Sequence, residues 1–289
     1  MTDAGPSLDF RDMTEADLAD GLRLSRASGW NQTLEDWRLL LASGPGLFRV
    51  GVEAGRVVAS GGAVRYGDAL AWICMILVEP ESRGRGLGTR VFEEVLDRCR
   101  AEQRAGRLRA VGLDATPAGR GIYLQRGFLD GREPGLVRMG LEQAAQAEVP
   151  AGIAPLEARD LGRVLEGDRQ VFGADRQSVL RRAFESAPEL AFTTRRGAYC
   201  FGRHGEHSDQ VGPVVAEDRV SAVALALACL ARPRSRPLIV DARADPGWLA
   251  ALSELGFREQ RRLTRMYLGE AKPLARPALE HAIFGPEFG

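Results

Sequence analysis

The stretch Arg83-Gly84-Arg85-Gly86-Leu87-Gly88 constrains this chain more than any other, because of what flanks it. The apolar run Ala69–Val78 precedes it, rich enough in β-branched residues to read as a strand, and Glu79-Pro80 closes that run. Leu87, Val91, Phe92, Val95, Leu96 and Cys99 follow at three- and four-residue intervals, the period of a helix with one buried face. A strand, a glycine turn and a helix make an anion site. Glycines let main-chain N–H groups converge, and the helix N-terminus adds partial positive charge.

The spacing decides among phosphate ligands. A Walker A loop needs a lysine after its last glycine, and none follows here. A dinucleotide fingerprint opens its domain with Gly-x-Gly-x-x-Gly, whereas these glycines alternate in mid-domain. The segment Val78–Thr89 resembles instead the acetyl-CoA motif of the GCN5-related N-acetyltransferases (GNAT), Gln/Arg-x-x-Gly-x-Gly/Ala, with Arg83, Gly86 and Gly88 at its fixed positions.

A second motif lies downstream. Arg109–Ala115 reads as a strand, Thr116-Pro117 opens a helix, and Tyr123-Leu-Gln-Arg-Gly127-Phe128 ends it on a glycine. This resembles the family segment whose tyrosine approaches the coenzyme sulfur. The resemblance implies an α/β fold, a mixed and mostly antiparallel splayed sheet flanked by helices. It implies acetyl-CoA as cosubstrate and direct transfer to an amine. The main chain of Ile76, Leu77 and Val78 would pair with the pantetheine arm. The amides of Arg83, Gly84, Arg85, Gly86, Leu87, Gly88 and Thr89 would hold the pyrophosphate, with the side chains of Arg83, Arg85 or Arg90 within reach of the phosphates. Tyr123 would protonate the leaving thiolate. The strand before the loop offers no carboxylate, so Asp114 is the candidate base, with Glu79 as the other; Asp114 reads equally well as a strand-end residue.

The chain repeats itself. Phe10–Leu18 matches Ile153–Leu161, and Gly127-Phe128 recurs as Gly256-Phe257. Residues 143–152 have linker composition, which predicts two tandem acetyltransferase-like domains at 1–143 and 153–289. The second copy departs where chemistry would occur. The strand Asp209–Val215 runs into Ala216-Glu217-Asp218, without glycine and with negative charge, and Leu252 stands in the place of Tyr123. That copy is expected to bind no coenzyme.

Near the N-terminus a helix over 14–27 breaks at Ser28–Gln32, and a second begins after the N-cap Thr33. In the family fold this break faces the acceptor, which makes Trp30 and Asn31 candidate acceptor contacts; Trp30 as a hydrophobic plug is the alternative. Lysine plus arginine equal aspartate plus glutamate at 39 each, so nothing electrostatic argues for nucleic acid or an anionic membrane. Four scattered cysteines have neither metal-ligand spacing nor a disulfide pattern, and His204 and His207 read as a solvated turn. No leader and no apolar run of membrane-spanning length stands out, and a cytoplasmic protein is expected. The acceptor is a small-molecule or peptide amine, an oligomer stays open, and the alternative to catalysis is an acyl-CoA-binding or sensing protein.

Overall fold

The computed structural model describes residues 8–142, 147–233, 235–269 and 276–289. Residues 143–146 of the expected linker and residues 1–7 lie outside the described residues. Contacts divide the chain into two compact units, residues 1–113 and 114–289.

In the first unit β1 (Leu8–Asp12), β2 (Arg49–Glu53), β3 (Arg56–Tyr66) and β4 (Leu70–Val78) form an antiparallel run. The β5 strand (Ala110–Ala115) adds to β4 in parallel. Between β1 and β2 lie α1 (Leu18–Ala27) and α2 (Leu34–Ser43). Their packing rests on Trp37, fully buried, whose ring leaves no room for a side chain at Gly21. The indole N–H donates to Ser25 Oγ at 3.0 Å. Thr33 caps α2 as expected, with a reciprocal Thr33–Asp36 capping box. The long helix α3 (Leu87–Arg104) buries Leu87, Val91, Phe92, Val95, Leu96 and Cys99, the stripe read from the sequence.

Two irregularities shape β4. Its register against β3 slips between Ser60 and Gly62, so Met75 and Ile76 together face Gly61, a β-bulge. Met75 takes the left-handed conformation at φ +57°, and Ser60 Oγ donates to its carbonyl at 3.0 Å. The β4–β5 ladder spans only Leu70–Trp72 against Ala110–Gly112. Beyond Trp72, β4 has no parallel partner among the described residues, and the sheet splays there.

The second unit contains α4 (Pro117–Leu124), β6 (Phe128–Asp130), β7 (Leu136–Leu141), β8 (Ile153–Pro155), α5 (Ala158–Phe172), α6 (Gln177–Ser186), β9 (Phe192–Thr194) and β10 (Tyr199–His204). It continues through β11 (Asp209–Val215), α7 (Arg219–Leu230), β12 (Leu238–Arg243), α8 (Pro246–Glu254), β13 (Arg258–Leu268) and β14 (Glu280–Ala282). From β8 to α8 the order repeats that of the first copy. The β11 strand also carries a bulge, at Gly212-Pro213, and is parallel to β12 only from Asp209–Val211.

The unit boundary falls before the expected linker for a reason visible in the ladders. The β6 strand pairs with β13, and β7 is hydrogen-bonded to β12 on one side and β13 on the other. The strands that close the first copy in sequence thus belong by contact with the second unit. Hydrophobic packing there centres on Trp248, Leu252, Phe257, Leu225, Ala226 and Cys229, against Val214 and Val240 from the sheet.

Candidate active site

The glycine turn has the geometry that an anion cradle requires. Gly84 and Gly86 both sit at φ +77°, a region L-residues rarely adopt, and the space a side chain would fill at either is empty to 4 Å. Residues 83–86 are exposed, whereas Leu87 anchors the turn in the core. The first intrahelical bond of α3 is Arg90 N–H to the Gly86 carbonyl at 3.1 Å. The amides from Gly86 to Thr89 come before it and are the orphan donors of the helix. These residues fit the pyrophosphate of an acyl-CoA cosubstrate.

Beside the turn, β4 supplies main chain. Ile76 and Val78 are half-buried and Leu77 is buried, all three lying past the point where β5 has left the ladder. An extended chain can pair with such an edge.

The arginines have other partners. The Arg85 guanidinium grips both oxygens of Glu53, at 2.9 and 2.5 Å. Arg83 donates through Nε to the Val78 carbonyl at 3.2 Å and through Nη2 to Ser28 Oγ at 3.4 Å. Arg90 lies over the Phe10 ring, 4.7 Å from its centroid. The first two shape the turn; the main-chain amides are what it offers a ligand. The Ser28 contact also joins the turn to the α1–α2 break, where Trp30 is half-buried and Asn31 buried.

Both carboxylates considered as bases turn out to be bound to arginine. Glu79 Oε1 accepts from Arg23 Nη1 at 2.5 Å and from Arg56. Asp114, expected as the candidate base, has no exposed side-chain surface, and Arg265 holds both its oxygens at 3.0 and 2.9 Å. Burial lifts its carboxyl above the ordinary value despite the nearby Arg265 charge. A carboxylate enclosed in this way ties strands together, the strand-end role that the sequence allowed beside that of a base.

Tyr123 lies on α4, its ring tilted against Phe128 at 6.2 Å between centroids. Gly119 gives the ring room, since a side chain there would start 3.1 Å from Cε2. Burial pushes the phenol up to about 12. The hydroxyl therefore stays protonated at neutral pH.

The second copy lacks these features. Asp218 caps α7, taking the Ser221 amide at 2.8 Å and its hydroxyl at 3.1 Å, so the helix start satisfies its own donors. Leu252 is fully buried core. Sequence reading also missed a signal. Leu136-Val-Arg-Met-Gly-Leu141 in β7 recurs as Leu263-Thr-Arg-Met-Tyr-Leu268 in β13, with Arg138 and Arg265 in register.

Comparison with known proteins agrees with both copies. Residues 12–128 match the acetyltransferase (GNAT) family and residues 164–284 match an acetyltransferase (GNAT) domain, together most of the chain. The chain belongs to the GNAT family. It is a tandem member, with two α/β domains on mixed, mostly antiparallel sheets, and its class is that of the acyltransferases. Holothin acyltransferase of Pseudoalteromonas sp. (strain SANK 73390) is 27% identical over 229 residues, 77% of this chain and 75% of that protein. A Pyrococcus horikoshii protein assigned as an acetyltransferase superposes with a TM-score of 0.79 at 22% identity, over 98% of this chain and 96% of its own. A tandem GNAT protein from the clavulanic acid biosynthesis pathway superposes at 0.61 and 16% identity, over 92% of this chain and all of its own. The two structures share the fold. Among the described residues no helix is long and apolar enough to cross a membrane, and no group of three or more His, Cys, Asp or Glu side chains could hold a metal ion.

Proposed function

We propose that this chain transfers acetyl from acetyl-CoA to a primary amine, by direct attack within a ternary complex at the first copy. The observation that carries the reading is the turn at Gly84 and Gly86, open above and adjoining a β4 edge that β5 has left. Residues 1–143 then form the catalytic domain, and 153–289 the non-catalytic copy.

In this reading the amides of residues 83–89 hold the pyrophosphate, and Ile76, Leu77 and Val78 align the pantetheine arm. A backbone N–H at Leu77 or Val78 meets the charge that develops on the thioester oxygen. Tyr123 protonates the departing thiolate; its place in the family motif and its retained proton support the role. Trp30 and Asn31 face the acceptor. With Asp114 and Glu79 both held by arginines, the amine loses its proton to solvent before attack. The four cysteines are all buried and none forms a disulfide, in keeping with the cytoplasmic setting proposed here.

A panel of small-molecule and peptide amines, holothin included because a relative is named for it, tests the reading through release of free CoA. Amine-dependent release at saturation supports the enzyme. Saturable CoA binding with no release across the panel supports the second reading, an acyl-CoA sensor, which the arginine-bound carboxylates favour.

A further inference from the structure

In the second copy the sheet also splays, but the gap is filled. Past Val211 the β11 strand leaves β12, and β14 lies between them. Val214 and Val215 pair with Ala282 and Glu280 on one side, and Ala242 pairs with Ala282 on the other. The Ala216 amide donates to the Leu279 carbonyl at 2.9 Å, and the Ile283 amide to the Asp241 carbonyl at 3.0 Å. By repeat logic Val214 and Val215 match the end of β4, where the first copy is read to pair with pantetheine.

We propose that the coenzyme cleft of the second copy has become an extended-peptide site whose resident ligand is this chain's own segment Leu279–Ile283. This deepens the proposed function, since it rests on reading the matching edge of the first copy as the pantetheine edge.

The site is built for this occupant. Glu280 is buried and its carboxylate is divided between Arg176, at 3.1 Å, and Arg243. Arg176 also holds both oxygens of Asp168 at 2.9 Å, and Asp168 accepts the Tyr199 hydroxyl at 2.7 Å. Removing the Glu280 carboxylate would leave two guanidinium groups facing one acid, a heavy cost in a dry interior. Downstream, Arg203 pairs with Glu287 and lies against the rings of Phe284 and Phe288, 5.5 and 5.7 Å from their centroids. A methyl group on Gly212 would collide with the Ile283 carbonyl, so the segment runs where only glycine allows it. Neutral coenzyme amides could satisfy the strand edges but not the two arginines.

Hydrogen exchange on the full-length chain tests this with CoA as the probe. The Ala216 and Ile283 amides should be protected, and CoA at a hundred times its affinity should leave their exchange unchanged. Acceleration of either amide by CoA, or a calorimetric stoichiometry of two CoA per chain, overturns the proposal. Gly212→Ala should speed exchange at both amides by about tenfold or more while the α3 amides are unaffected; unchanged exchange overturns it. Glu280→Gln, a milder change, should move the same two amides in the same direction, and no movement counts against it. Protection gained on adding CoA at Gly84–Thr89 reports separately on the first copy, so failure of the function reading and failure of the peptide-site reading are told apart.

Discussion

Arg265 holds both oxygens of Asp114, at 3.0 and 2.9 Å, and Arg138 holds both oxygens of Asp241, at 2.9 and 2.7 Å. The two pairs are counterparts. Asp114 sits in Leu-Asp-Ala and Asp241 in Val-Asp-Ala, at matching points of the strands that follow each copy's long helix. Each arginine comes from the closing strand of the other copy. Burial works to raise Asp241, but Arg138, with Arg261 and Arg203 behind it, brings that carboxyl below its ordinary value. A bidentate fork at a fixed register makes the exchange of closing strands specific.

Removing one partner of such a pair strands a buried charge. Arg265→Ala should therefore cost about 3–5 kcal/mol of stability, and Asp114→Asn a comparable amount. The double change Arg265→Met with Asp114→Leu should recover most of the loss, read as denaturation midpoints in a double-mutant cycle. If Asp114→Asn instead leaves stability intact and abolishes turnover, Asp114 acts as the base.

How much of this was legible in the chain depends on how local each cause is. The turn at Gly84 and Gly86 is legible because positive φ demands glycine there and the α3 stripe follows at once. The Thr33–Asp36 box is legible for the same reason, both halves lying within four residues. The route of β7 is not. Leu136–Leu141 alternates like any half-buried strand, and nothing local says that β12 and β13 will be its neighbours. β14 is three residues long after a proline-containing stretch, and only the open sides of β11 and β12 make it a strand. Met75 at φ +57° is likewise imposed, by the register of β3. The ion pair of Asp114 is not legible either, because its partner Arg265 lies 151 residues away.

Gly86→Glu should abolish CoA binding. The substitution places a β-carbon in a left-handed turn and a carboxylate where the diphosphate would sit, so strain and repulsion act together. Calorimetry should show at least about a hundredfold loss of affinity, with the thermal midpoint moving by only a few degrees. Retained affinity would remove the cradle.

Tyr123→Phe should lower turnover by about 10²-fold, the low end for a lost general acid, because a thiolate leaves readily. Acetyl-CoA affinity should change little. Since burial pushes the phenol up to about 12, the wild-type rate should show no break from Tyr123 between pH 6 and roughly pH 10. A variant as fast as wild type excludes Tyr123 from the chemistry.

The rate should rise with pH along the titration of the acceptor itself. With Asp114 and Glu79 both engaged by arginines, the fraction of neutral amine sets the reactive species. Two acceptors whose amine pKa values differ by about two units should give kcat/KM profiles displaced by a similar interval. A break at one fixed pH for both acceptors would instead identify an enzyme base.

Acid stability offers a check that needs no substrate. Arg11 holds Asp17 through a bidentate contact at 2.8 and 2.7 Å, and the Thr14 amide adds a donor at 2.8 Å. Chiefly through the Arg11 hydrogen bonds, the Asp17 carboxyl falls from 3.8 to about 2. A depressed carboxyl stabilises the fold above its unfolded value and loses that contribution as pH falls through the folded one. The window is therefore pH 3.8 down to about 2. Arg11 is partly exposed, so solvent screening trims the contribution to about 1–2 kcal/mol. Asp17→Asn should lower stability at pH 7 by that amount and flatten the acid limb in this window. Urea midpoints measured at pH 7 and through the acid limb decide it, and parallel curves for the two proteins would refute the assignment.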